Sequence, residues 1–258
     1  MKDFILGLLM GIANLLPGIS GGTIAAISGR YEIILKAASD FVSFKWKKDS
    51  LSVIIFLIAG MGTSIILLSK VLSFIFEKYP EYSYGIFTGL IIGGLLYLLN
   101  QIDFKKKSNF SIITISFIIT FFLLRFAETF ESTNGNISFW YLIFGGMVGA
   151  ATMVLPGISG SSMLLIMGIY KPVIDAISNM NLKIIIPVGI GVLLGLVLII
   201  KILEKLIEKF HEQVIAFLIG LTIAGTIIIF PITSKWLTYI FFIIGIFLSR
   251  YLEKILKE

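Results

Sequence analysis

The sequence predicts an all-α integral membrane protein made of two inverted-topology repeats, each a re-entrant helical hairpin followed by three transmembrane helices. Three observations predict it. The 258-residue chain is 57% hydrophobic and only 14% charged, with 22 Phe and a mean hydropathy of +1.02, far from soluble composition. Apolar stretches long enough to cross a ~30 Å hydrocarbon core lie at about 51–76, 83–100, 109–126, 184–203, 214–230 and 236–250. Finally, "LLPGISGGT" at 15–23 returns as "VLPGISGSS" at 154–162, 139 residues later, with Pro17 on Pro156 and Ser20 on Ser159.

The first repeat covers 1–126. Its hairpin, about 4–35, opens with residues 4–16, whose helix would be about 20 Å long at 1.5 Å per residue, too short to cross. Pro17 and Gly18 end that helix, because proline lacks an N–H and clashes with the preceding turn. The simplest geometry is a half-helix, a turn at midplane and a half-helix back to the same side. The start of the chain has the charge-then-apolar look of a signal peptide. Its recurrence later in the chain makes it part of the fold instead. Spans at about 51–76, 83–100 and 109–126 follow, then a polar linker at 127–136, "AETFESTNGN" counting from Ala127. The second repeat, 137–258, has its hairpin at about 138–178 and spans at about 184–203, 214–230 and 236–250.

The likeness extends past the nonapeptide. Gly29 and Tyr31 align with Gly168 and Tyr170; Lys70, Glu77, Glu81 and Gly89 align with Lys201, Glu208, Glu212 and Gly220 at a spacing of 131. Basic runs in loops 36–50 and 101–108 place those loops in the cytoplasm, and the linker, with no Lys or Arg, outside. Both termini then lie in the cytoplasm. An odd number of crossings per repeat inverts the second against the first, and inverted repeats with interrupted helices at midplane are a transporter signature.

Irregular backbone at membrane depth is tolerated only where it is buried in protein or lines a cavity. Each second half-helix, beginning near Ser20 or Ser159, presents first-turn N–H groups without intrahelical partners. Glycines at 18, 21 and 22 admit close approach, and Gly157 and Gly160 stand in the second copy. Ser20, Thr23, Ser159, Ser161 and Ser162 add hydroxyls. Amides and hydroxyls at a helix start suit an anion with several acceptor oxygens. The competing reading is a kink with small residues for close helix packing. Asn14 contacts either a bound headgroup or the freed backbone. Arg30 and Glu32 follow the first hairpin and Lys171 the second, as headgroup contacts or as interfacial anchors. His211, the sole histidine, falls in a charged run and reads as solvated.

Several functions are disfavoured. Without cysteine, disulfides and thiol-based metal sites are absent. A lone histidine and no paired carboxylates in the spans argue against an enzyme, and neither cofactor nor metal is expected. The net charge of +6 sits in short loops, where it encodes topology and not nucleic-acid binding. The partners are the bilayer and an anionic lipid; a homo-oligomer is left open. A channel or transporter for a small inorganic anion such as phosphate is the alternative.

The motifs "GIANLLPGISGGTIAAISGRYE" and "LPGISGSSMLLIMGIY" resemble the paired signatures of the polyprenyl-phosphate transporter family of prokaryotic membrane proteins, formerly a domain-of-unknown-function family. The resemblance spans the chain. It implies a flippase that returns undecaprenyl phosphate across the plasma membrane for carrier-lipid recycling in cell-envelope synthesis. The chain departs from the family pattern at Asn14, where an acidic residue is common, and at Lys171, where glutamate is frequent. It departs again at Ile33, where a basic residue often stands. The backbone tips are therefore the firmer carry-over.

Overall fold

The computed structural model describes residues 1–15, 19–127 and 137–257, and among these it is helical, with no strand. The first half runs through α1 (Lys2–Asn14), α2 (Gly21–Ile27), α3 (Tyr31–Val42), α4 (Lys48–Lys78), α5 (Pro80–Leu99) and α6 (Lys107–Ala127). The second runs through α7 (Phe139–Val154), α8 (Gly160–Ile166), α9 (Tyr170–Ser178), α10 (Leu182–Ile229) and α11 (Trp236–Lys257).

The helices α4, α5, α6, α10 and α11 are long and apolar enough to cross a membrane. On α4, Ile58, Ile66 and Leu67 are each more than 60% exposed, as are Leu193 on α10 and Phe247 on α11. Monomeric soluble proteins rarely expose apolar faces of that extent, whereas acyl chains solvate them, so the chain is a multi-pass membrane protein. The interior is centred on α5 and the second part of α10, where Leu98, Ile215, Leu218 and Ile219 are buried.

The 48 residues of α10 would reach about 72 Å if straight, more than two hydrocarbon thicknesses. The helix breaks at Phe210, φ −136° and ψ 49°, in the gap between the spans expected at 184–203 and 214–230. Tyr79, between α4 and α5, has φ −134° and ψ 51°. The same corner thus recurs 131 residues later.

Packing repeats with the same spacings. A Cβ on Gly7 would meet the Leu57 carbonyl oxygen at 2.3 Å, and one on Gly146 the Val188 carbonyl oxygen at 2.3 Å. Gly60 lies against the Phe4 carbonyl as Gly191 lies against that of Ile143. Small residues allow the backbones of α1 and α4, and of α7 and the first part of α10, to touch. The second span of each half crosses the third span of the other: Gly89 meets the Phe242 carbonyl, and Gly220 meets that of Ile113.

The hairpins differ from the expected shape. The helix after each break is seven residues long, about 10 Å. It stops at Gly29 (φ 74°) or Gly168 (φ 68°), left-handed positions that terminate helices after the C-cap. The chain then turns; α8 and α9 meet at 114°. The expected half-helix back to the starting side is therefore a short helix followed by an amphipathic one, α3 or α9.

Charge pairs mark the two ends of the molecule. Loop 101–106, α3 and the α10 corner meet through Lys106–Glu212 (2.8 Å), His211–Glu32 (2.8 Å) and the Ser39 hydroxyl on Glu204. The α4–α5 corner and loop 230–235 meet through Lys235–Glu81 at 2.5 Å.

Candidate functional site

The two helix breaks, far apart in sequence, meet in the interior. At the first, α1 ends at Asn14, whose side-chain oxygen accepts the Gly21 N–H at 2.6 Å. Asn14 thus serves the freed backbone, one of its two expected roles. Ser20 caps α2, accepting the Thr23 N–H at 3.2 Å, the N-cap arrangement that serines favour. Pro17 and Gly18, assigned to this site from sequence, lie outside the described residues.

At the second break, α7 ends at Val154 and the chain passes Leu155, Pro156 and Gly157 before Ser159 caps α8 by accepting the Ser162 N–H at 3.4 Å. The Ser159 and Ser161 hydroxyls lie 2.5 Å apart. Gly157 has φ +82° and presses on α10, where a Cβ would fall 2.1 Å from the Leu221 carbonyl oxygen. Gly160 packs on the Gly149 carbonyl.

Hydrogen bonds join the breaks. The Ser20 hydroxyl donates to the Leu155 carbonyl at 3.3 Å, and the Gly157 N–H donates to the Thr23 hydroxyl oxygen at 2.9 Å. Ser20 and Thr23 are 3.0 Å apart. Because the Ser20 proton points to Leu155, Thr23 is the donor between them. Gly22 leaves room for the Val154 carbonyl, 2.5 Å from where its Cβ would be. The Tyr31 hydroxyl reaches the same carbonyl at 3.3 Å. Ser20, Thr23 and Ser159 are buried at 3%, 2% and 6% exposure, so their bonds stand in a low-dielectric interior where unpaired polar groups are costly.

The structure therefore gathers Asn14, Ser20, Gly21, Gly22, Thr23 and Gly157 at one locus. At the start of α8 it pairs the Ser159 and Ser161 hydroxyls, with the Ser162 N–H donating to Ser159. The charged candidates stand apart. Arg30 pairs with Asp3 at 2.6 Å, tying the start of the first hairpin to its end. Glu32 pairs with His211, which sequence alone made a solvated residue. Lys171 is exposed on α9. Tyr31 and the carbonyls of Val154 and Leu155 escaped sequence reading. The alignment of Tyr31 with Tyr170 was a signal for the tyrosine, and carbonyls leave none.

No group of His, Asp or Glu that could hold a metal occurs among the described residues. The groups at the meeting point are hydroxyls and amides, none titrating near neutral pH. Chemically they are hydrogen-bond donors and acceptors.

Apolar spans around two interrupted helices that meet in the interior define a multi-pass membrane protein with an uncharged, hydrogen-bonding centre. The family model described as VCA0040-like, undecaprenyl phosphate translocase-like, matches residues 10–241, and the chain belongs to that family. A polyprenyl-phosphate transporter of Vibrio cholerae is 30% identical over 240 residues, covering 88% of this chain and 76% of its own length. One of Staphylococcus aureus is 30% identical over 275 residues, covering 99% and 97%. No solved structure matches the chain.

Proposed function

We propose that this protein is a flippase that moves a polyprenyl phosphate, undecaprenyl phosphate above all, between the leaflets of the plasma membrane, returning the carrier lipid for cell-envelope synthesis. One observation carries the reading: the two PGISG breaks interlock in the interior through Ser20–Leu155 and Thr23–Gly157. The family and the named relatives support the substrate class.

The physics is a division of labour. The isoprenoid tail is at home in hydrocarbon and only the phosphate needs a polar crossing, since moving an ion into a low-dielectric medium is costly unless it is hydrogen-bonded. The breaks supply that stop. Helices of seven residues carry small dipoles, so the hydroxyls of Ser20, Thr23, Ser159, Ser161 and Ser162 and the loop amides contribute most. In the present state Ser20, Thr23, the Leu155 carbonyl and the Gly157 N–H satisfy one another, and Ser159 pairs with Ser161. Substrate phosphate takes their place as the breaks separate, so no polar group is stranded on the way.

The repeated corners at Tyr79 and Phe210, with the repeated glycine contacts, support two equivalent halves. The basic loops support their inverted insertion with both termini in the cytoplasm. Each hairpin then enters and leaves on one side, and rocking of the halves alternates access. Replacing Ser20 and Ser159 together by leucine is expected to abolish clearance of undecaprenyl phosphate from the outer leaflet while the protein still reaches the membrane. Unchanged clearance would reject the breaks as the site. Inhibition of uptake by inorganic phosphate at concentrations comparable to the lipid would favour a small-anion transporter instead.

A further inference from the structure

Beyond the headgroup stop, we infer that the protein holds the tail: the cleft between α4 and the α5–α11 pair is a binding site for the phosphate-proximal isoprene units of the substrate. The inference rests on the flippase reading and adds to it a lateral seat for the chain.

Two apolar cavities form this cleft. One, of about 270 Å³, reaches from Leu72 on α4 to Ser249 and Glu253 on α11; the other, of about 370 Å³, lies between Ile75, Tyr79 and Phe241. Ile86 of α5 lines both. Along α11 the lining runs from Leu237 to Leu252, about 22 Å of helix and most of the hydrocarbon thickness. Phe76 of α4 packs against Tyr84 and Phe87 of α5.

Three observations say what occupies it. Its inner wall includes Ile24 and Ile27 of α2, the helix that begins at the Ser20 cap. A phosphate at Ser20–Thr23 would have its first tail carbons beside Ile24. The lining is almost wholly apolar, which suits a hydrocarbon chain and no polar guest. Lastly, the halves differ here. Leu72 and Phe87 are only partly buried, whereas their counterparts at the repeat spacing, Leu203 and Leu218, are buried in the main core; Ile24 and Leu90 are buried as their counterparts Met163 and Leu221 are. One seam is open while its equivalent is filled, as expected of a chain-sized door that opens on one half at a time.

The test uses the full-length protein in proteoliposomes with undecaprenyl phosphate carrying a diazirine in the isoprene units nearest the phosphate. Photolabelling is expected to concentrate on 72–90 and 237–252 and to fall about tenfold with excess unlabelled lipid. Label scattered over the outward faces at Ile66, Leu193 and Phe247, or indifferent to competitor, overturns the inference. Leu248→Trp, at the cleft rim and already 37% exposed, is expected to lower labelling about tenfold by filling the seat. Phe247→Trp, on the outer face at 71% exposure, leaves it unchanged; equal effects of the two also overturn it. Failure of the cleft alone shows as uncompeted label in a protein whose clearance still requires Ser20 and Ser159. Failure of the flippase reading shows as clearance indifferent to those serines.

Discussion

At the scale of the residue, the centre of the protein is a small set of uncharged donors and acceptors whose loss is measurable. Asn14→Leu removes the acceptor of the Gly21 N–H and leaves that amide without its partner in the interior. It is expected to cost about 1–3 kcal/mol, read as a lower unfolding temperature in detergent. Thr23→Val strands the Gly157 N–H at a similar cost, while Thr23→Ser keeps the hydroxyl and retains most of the stability. The sequence marked Asn14 and Thr23 as polar groups beside a broken helix. It could not say that they serve backbone groups, one of them 134 residues away, because a carbonyl or amide is the same at every position.

At the scale of the element, glycine placement decides which helices touch. A methyl group on Gly60 would fall 2.2 Å from the Phe4 carbonyl oxygen, whereas around Gly62 nothing lies within 4 Å. Gly60→Leu is therefore expected to separate α4 from α1 and destabilise by about 1–3 kcal/mol or more; Gly62→Leu, two residues on, is nearly neutral. Gly191→Leu and Gly189→Leu should repeat the contrast in the second half, since Gly191 meets the Ile143 carbonyl and Gly189 open space. Thermal unfolding of the four purified variants checks both pairs. That the chain carries five to six long apolar helices among its described residues was legible because long apolar runs have few other homes. The second bend of each hairpin was not. Gly29 and Gly168 were visible as aligned residues, but their left-handed φ depends on how the following amphipathic helix finds its packing surface.

At the scale of the whole molecule, one end is tied by charge. Asp40, at the close of α3, accepts hydrogen bonds from Ser50 at 2.7 Å and Lys47 at 3.1 Å. The Ser50 hydroxyl first, then Lys47, holds its carboxyl below the ordinary carboxylate range. A lowered folded-state value stabilises above the unfolded value of about 4 and is lost as pH falls through the folded one. Asp40→Asn is therefore expected to lower the unfolding temperature at neutral pH and to make progressively less difference below about pH 4, checked by melting both proteins across that range. Lys106 is shifted the other way, upward, by its hydrogen bonds to Glu212; its share persists to high pH. The Lys106–Glu212 pair joins a loop to a span 106 residues away, so its partner was unreadable beforehand even though the basic loop stood out; Asp40 instead meets Lys47 and Ser50 within ten residues.

By itself the sequence determined that the chain lives in a membrane, that its helices break twice with the same words, and that the residues at those breaks are amides and hydroxyls. These follow from local chemistry: apolar side chains have nowhere else to go, and proline and glycine interrupt a helix wherever they stand. Only the tertiary structure decided that the breaks interlock, that Arg30 and Glu32 are engaged by Asp3 and His211, and that a cleft stays open along α4 while its counterpart is filled. Those outcomes depend on which groups meet in space, across 27 residues for Arg30 and Asp3 and more than a hundred for the breaks and for Glu32 and His211, and such pairing has no signature in any single stretch of chain.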